Sequence, residues 1–246
     1  MNVAASGRVR IGELEVAYRS AGNGPPLVLL HGFLCDSRVW RLELEDLSDR
    51  FTVIAWDAPG AGRSSDPSDP FTITDWARYL GAFLDELQVE RAHVLGLSWG
   101  GLLAQELYRI APARIQTLIL ADTYAGWRGS LGEKVAEQRL ARCLRESTLP
   151  AEEFVERWVP VEFFADASRE LQVEMAGVVS EFHPLGFRLM ARTLAEGDSK
   201  ICCRPSMSRR SSCGARRIDV HRWRWPSGST PGFQVPSLWS SRGRAT

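Results

Sequence analysis

At 246 residues the chain is long enough for one large α/β domain with a sizeable core and too short for two. Its 30 basic and 30 acidic residues cancel, but unevenly: positions 201–246 hold nine arginines against one acid, Asp219, so residues 1–200 stand at −8 and the remainder at +8. No apolar run of about 18 residues occurs and no basic start leads into an apolar stretch, which argues against a membrane span and a secretory leader and sets the expectation of a soluble, cytoplasmic protein. Five cysteines, Cys35, Cys143, Cys202, Cys203 and Cys213, are an odd number without a leader and read as free thiols.

The first element in chain order is a hairpin, "RVRIGELEVAYRS". Short apolar runs follow, "LVLLHG", "TVIAWD", "HVLGLS" and "TLILAD", alternating with amphipathic stretches. In "TDWARYLGAFLDELQV", Trp76, Leu80, Phe83, Leu84 and Leu87 recur at helical spacing behind threonine caps. This alternation predicts a mostly parallel sheet with helices on both faces. From about Leu131 to Glu196 successive helices are predicted with no strand among them, one of them carrying Leu171, Met175, Val178, Val179 and Phe182 on a single face. The division expected is residues 1–130 as the N-terminal part of the core, 131–197 as a helical cap, and 198–246 as an aberrant, disordered tail. Beyond Lys200 neither helical nor strand periodicity survives.

The stretch "VLGLSWGG" fits G-x-S-x-G through Gly96, Ser98 and Gly100, with an apolar strand before it and a helical face (Leu102, Leu103, Leu107, Ile110) after it. Such glycines permit a sharp turn that lifts the serine hydroxyl above the sheet. A serine attacking a carbonyl needs donors for the developing oxyanion, and the amide of Trp99 supplies one, while "HGFLCDSRVW" offers the amide of Phe33 as the second. His31 in that segment reads as a structural histidine at a strand end. Gly60-Ala61-Gly62 invites a nucleotide-binding reading, but the third glycine is missing and the loop follows the wrong strand.

Together with "WDAPGAGRSSDP", these motifs in this order resemble the α/β-hydrolase fold family over roughly residues 8–200, and the chain is similar to its small cofactor-independent enol-lactone hydrolases, haloperoxidase-like esterases and ring-cleavage-product hydrolases. The resemblance makes Ser98 the nucleophile and the amides of Phe33 and Trp99 the oxyanion hole. It implies hydrolysis of a small carboxylic ester or lactone through an acyl-serine, with no metal or organic cofactor. Related carbon-carbon hydrolysis and perhydrolysis share the scaffold, and fold alone does not separate them. Trp127, Trp158, Phe163 and Phe164 suggest an apolar pocket under the cap.

The same resemblance asks for an acid and a histidine in the final third, and neither is recognisable there. His221, in "DVHRWRW", has no strand before it; His93 begins the strand whose far end carries Ser98; His183 lies among the cap helices. Asp122, ending "TLILAD", occupies a position that some family members use for the acid, although a strand-end polar residue explains it too. As written, then, the chain is expected to lack its last two strands, to leave "TLILAD" as an apolar edge prone to aggregation, and to be nearly inactive.

The codons of the tail admit another reading. Displaced by one base, each new codon takes its last two bases from the first two of a tail residue, and "ICCRPSMSRRSSCGARRI" can become "DLLPTIDVPTLLLWGEAD". The remainder can become "RRSPLAVAERLHAGIPGAELVVIPGAGH", which has an amphipathic helix, a strand and a terminal histidine after a glycine turn. A one-base insertion or deletion near Lys200, in the gene or in its reading, is therefore expected. Three rivals are weaker or depend on taking the tail literally. A nucleic-acid-binding arm with Trp223, Trp225 and Trp239 as stacking groups is disfavoured, because off-frame GC-rich DNA alone accounts for the arginines. A zinc site from Cys202, Cys203, Cys213 and His221 lacks paired spacing. A catalytically silent hydrolase-fold protein binding a small ligand is the third. Nothing in the sequence addresses oligomeric state.

Overall fold

In the runs "PLVLL" and "TVIAW" both alternate sets of side chains are apolar, as a strand buried on two faces requires. The computed structural model, which describes residues 4–162 and 168–197, places them at the centre of a six-stranded sheet. Its strands are β1 (Ala5–Ile11), β2 (Leu14–Ala21), β3 (Pro26–Leu30), β4 (Thr52–Trp56), β5 (Ala92–Leu97) and β6 (Ile115–Ala121), in the order β1-β2-β4-β3-β5-β6. The hairpin β1–β2 joins antiparallel, and β4, β3, β5 and β6 run parallel. Helices α1 (Arg41–Asp46), α2 (Ile73–Glu86) and α3 (Trp99–Ile110) connect strands, and α4 (Gly126–Leu131), α5 (Glu133–Glu146), α6 (Ala151–Glu162), α7 (Arg169–Ser180) and α8 (Pro184–Glu196) follow β6 without a strand among them.

Val28, Leu30, Ile54, Trp56 and Val94 point to one face and share a cluster with Trp76, Leu80, Phe83 and Leu84 of α2 and Leu103 and Leu107 of α3. Leu27, Leu29, Val53 and Ala55 point to the other and pack on Trp40 and Leu44. The two faces are unequal: α1 is a short helix, whereas α2 and α3 span 14 and 12 residues. Helix α2 starts at a capping box in which the Thr72 hydroxyl accepts from the Asp75 amide at 3.2 Å and the Asp75 carboxylate accepts from the Thr72 amide at 2.9 Å. Inside α2, a Cβ on Gly81 would meet nothing within 4 Å. Gly81→Ala is therefore expected to stabilise the protein by ~0.5–1 kcal/mol, read as a higher urea midpoint, since glycine in a helix interior loses more backbone freedom than alanine.

Two features position the site. Helix α8 buries Phe187, Leu189, Met190, Ala191, Leu194 and Ala195, and so lies against the core. A Cβ on Gly186 would meet the Gly60 carbonyl oxygen, which puts α8 in backbone contact with the loop after β4. Strand β6, in contrast, pairs only with β5 among the described residues, and Leu120 is 36% exposed on it while Leu118 and Ile119 are half-buried. No helix of the described residues is long and apolar enough to cross a membrane. The tail 198–246, with the cysteines and His221 of the zinc reading and the three tryptophans of the nucleic-acid reading, lies outside the described residues, as do Phe163 and Phe164.

Candidate active site

Strand β5 ends at Leu97 and α3 begins at Trp99, so Ser98 alone makes the turn and takes up φ 50°, ψ −113°. A non-glycine residue holds such a conformation only when its surroundings impose it. Here the glycines on either side do so by letting backbones touch. A Cβ on Gly96 would lie 2.3 Å from the Gly100 carbonyl oxygen, and one on Gly100 2.3 Å from that of Leu30. The Ser98 amide donates to the Ala121 carbonyl at 3.0 Å, and its carbonyl accepts from the Thr123 hydroxyl at 2.7 Å and the Gly101 amide at 2.9 Å. The Ser98 peptide is thus locked at the C-terminal end of β5.

Trp99 occupies the first turn of α3, where the amide has no partner within the helix and the helix dipole favours negative charge. Its indole is buried and donates to the Thr193 hydroxyl of α8 at 2.9 Å, which anchors the residue. The loop after β3 comes alongside: a Cβ on Gly32 would stand 3.6 Å from Cβ of Ser98. Phe33 follows, its ring stacked on Phe187 at 4.7 Å and edge-on to Trp127 and Trp158 at 6.3 and 6.2 Å. Leu34 then turns through φ 63°. The structure thus brings together Ser98, Trp99 and the Gly32–Phe33 segment, the three parts named from the sequence.

His31 holds this loop in place. Its Nδ1 lies 2.8 Å from the Gly32 carbonyl oxygen and its Nε2 accepts from the Ala58 amide at 3.1 Å, which assigns the proton to Nδ1. Burial, the largest influence, keeps its pKa below the ordinary 6.5, against the Gly32 bond and the charges of Asp57 and Asp36. A histidine that folds neutral binds fewer protons than the unfolded chain below pH 6.5. Stability is therefore expected to fall as the pH drops from 6.5 toward the folded-state value, by up to about 1.4 kcal/mol per pH unit. Urea midpoints at pH 7.5 and 5.5 check this: His31→Gln should flatten the dependence, and an equal slope in both proteins contradicts it.

The other described histidines are also engaged away from Ser98. His93 lies near the start of β5, about 16 Å of strand from the serine, against Phe51. His183 precedes α8 and bridges to the loop after β4, with Nδ1 2.6 Å from an Asp66 carboxylate oxygen and Nε2 3.0 Å from the Gly62 carbonyl. It lines a cleft with Cys35, Gly60, Glu181 and Met190 that does not include Ser98. Asp122 sits beyond β6 at φ 42°, next to the Thr123 that holds Ser98. Asp57, buried within "WDAPGAGRS", is a residue the motifs do not single out, and its carboxylate accepts from the Ser37 amide at 2.8 Å and the Arg63 amide at 3.1 Å. An acid directly after an apolar strand was the available signal. Thr123, Thr193 and Phe187 carried none. Among the described residues no three His, Cys, Asp or Glu side chains converge on a metal-sized site.

Residues 25–233 match the family described as the alpha/beta hydrolase fold. A 3-oxoadipate enol-lactonase of Acinetobacter baylyi is 30% identical over 198 residues, 80% of this chain and 71% of that protein. A protein of Azorhizobium caulinodans named as a carbamate hydrolase is 36% identical over 120 residues, 49% of this chain, and the chain spans only 45% of its length. Among solved structures, a thermophilic esterase from Thermogutta terrifontis superimposes with a TM-score of 0.71 at 26% identity, covering 85% of this chain and 77% of the esterase.

Proposed function

The chain belongs to the α/β-hydrolase fold family, whose members named above include an enol-lactonase and an esterase, and from that membership we propose that it is built for hydrolysis of a small carboxylic ester or lactone with Ser98 as nucleophile. The observation that carries this reading is the strained φ of Ser98 between β5 and α3 with the Gly32–Phe33 loop beside it. Ser98 Oγ attacks the carbonyl carbon, and the amides of Phe33 and Trp99 hold the oxygen as it becomes negative. Collapse expels the alcohol, or opens the lactone ring, and leaves an acyl-serine that water then hydrolyses. No metal or organic cofactor enters these steps. Helices α4–α8 act as a cap over the acyl side, where Phe33, Trp127, Trp158 and Phe187 favour an apolar acyl group.

Each proton transfer needs a base, and His31, His93 and His183 are all committed elsewhere. Asp122 supplies a carboxylate near the turn but no imidazole to orient. Among the described residues, then, Ser98 and the two amides have no histidine as proton acceptor. The experiment is a panel of p-nitrophenyl esters and five- and six-membered lactones, offered to the chain once a segment bearing an acid and a histidine follows residue 200, and to its Ser98→Ala variant. Hydrolysis that depends on Ser98 is expected. Hydrolysis that survives Ser98→Ala refutes the assignment.

A further inference from the structure

We infer that the coding sequence slips by one base near Lys200, and that the out-of-frame segment is the strand meant for the edge of β6 left unpaired among the described residues, together with an acid and a base for Ser98. The strand part stands on the sheet alone; the acid and base part rests on the proposed role of Ser98.

The outer edge of β6 has the properties of an interior strand. Its sequence, "IQTLILA", contains no charge and no proline, the usual protections of a true edge, and Leu120 is left exposed along it. Something apolar and extended belongs there. The displaced reading supplies "PTLLLWGEAD", a continuous apolar run of the kind buried parallel strands show, ended by a turn residue and acids.

The geometry of the chain exit allows it. Helix α8 ends at Glu196, and the Gly197 carbonyl accepts from the Gly129 amide at 3.0 Å, so the chain leaves against α4, whose first residue, Gly126, follows the end of β6 at Ala121 by five positions. To pair in parallel it must first run back along the seven-residue strand, about 23 Å. Residues 198–200 and the displaced "DLLPTIDVP" provide about 12 residues, which extend to about 40 Å. The new strand then runs toward the end of the sheet where Ser98 is displayed, and its acids are delivered there. The second displaced strand, "AELVVIPGAGH", delivers its histidine at the same end by the same logic, because parallel strands share a direction.

The coding DNA gives a direct test. The displaced segment requires third bases A in the codons of Arg204 and Pro205, G in that of Ser206 and T in that of Cys213. A displaced frame broken by a stop codon, or by other bases at these positions, overturns the inference. The second test compares the chain as it stands with one carrying a compensating one-base change near codon 200, by light scattering after gel filtration and by thermal unfolding. The corrected chain is expected to be monomeric, with a midpoint higher by on the order of 10 °C, while the present chain self-associates through β6. Equal association and equal midpoints overturn the inference. A fluorophosphonate probe separates the two proposals. Labelling of the corrected chain that Ser98→Ala removes supports both, whereas a corrected chain that is monomeric and more stable but unlabelled keeps the frame inference and refutes the catalytic one.

Discussion

Hydrolysis of p-nitrophenyl butyrate by the frame-corrected chain is expected to exceed that of the chain as it stands by a factor on the order of 10⁶, the loss that removal of the histidine causes in subtilisin. The reason is the proton. A neutral serine hydroxyl is a poor nucleophile until a base takes its proton, and the turn at Ser98 supplies no such base. On the proposed reading the present chain keeps the pair of amides at Phe33 and Trp99, and an oxyanion hole without a base supports only a fraction of the catalysis. In the corrected chain Ser98→Ala should return turnover to the level of the uncorrected one, because the nucleophile and its base act as one unit. Steady-state rates of the three proteins at one ester concentration decide the matter. Comparable activity of the corrected and uncorrected chains contradicts both the missing-base argument and the role of Ser98.

The second large effect is structural. Gly100→Ala places a methyl group 2.3 Å from the Leu30 carbonyl oxygen and 2.6 Å from that of His31. Both contacts are backbone, so no side chain can swing aside. Helix α3 would have to lift from β3, opening the cluster that Leu103 and Leu107 share with Val28 and Leu30. A loss of about 3–5 kcal/mol is expected, at the upper end of what single substitutions cost and enough to remove most of a domain's stability. Urea unfolding of Gly100→Ala beside Gly81→Ala checks the claim that contact and not glycine content decides. A Gly100→Ala midpoint close to that of the parent contradicts the packing.

The local pattern carried much of this. Helix α2 was legible because Trp76, Leu80, Phe83 and Leu84 repeat at the helical period and Thr72 caps them, all within 14 residues. The turn at Ser98 was legible because its strand, glycines and helix are contiguous. A structural role for His31 is legible at a strand end, but its partner, the Ala58 amide, is 27 residues away, and no periodicity points to it. Helix α8 is, in the sequence, one more helix of the segment after β6; that Thr193 anchors Trp99, 94 residues earlier, and that Phe187 stacks on Phe33 are facts of packing.

The sequence by itself determined the order of strands and helices, the family, and the place of the serine, because each depends on residues within a turn or two of one another. It also carries the change of composition after Lys200 on which the proposed frame slip rests, because composition and codon constraints are properties of the string. Only the tertiary structure decided that every described histidine is bonded or packed away from Ser98, that the end of α8 lies against α4, and that among the described residues β6 pairs on one side alone. Those are relations between segments far apart in the chain, and only folding brings such segments within contact distance.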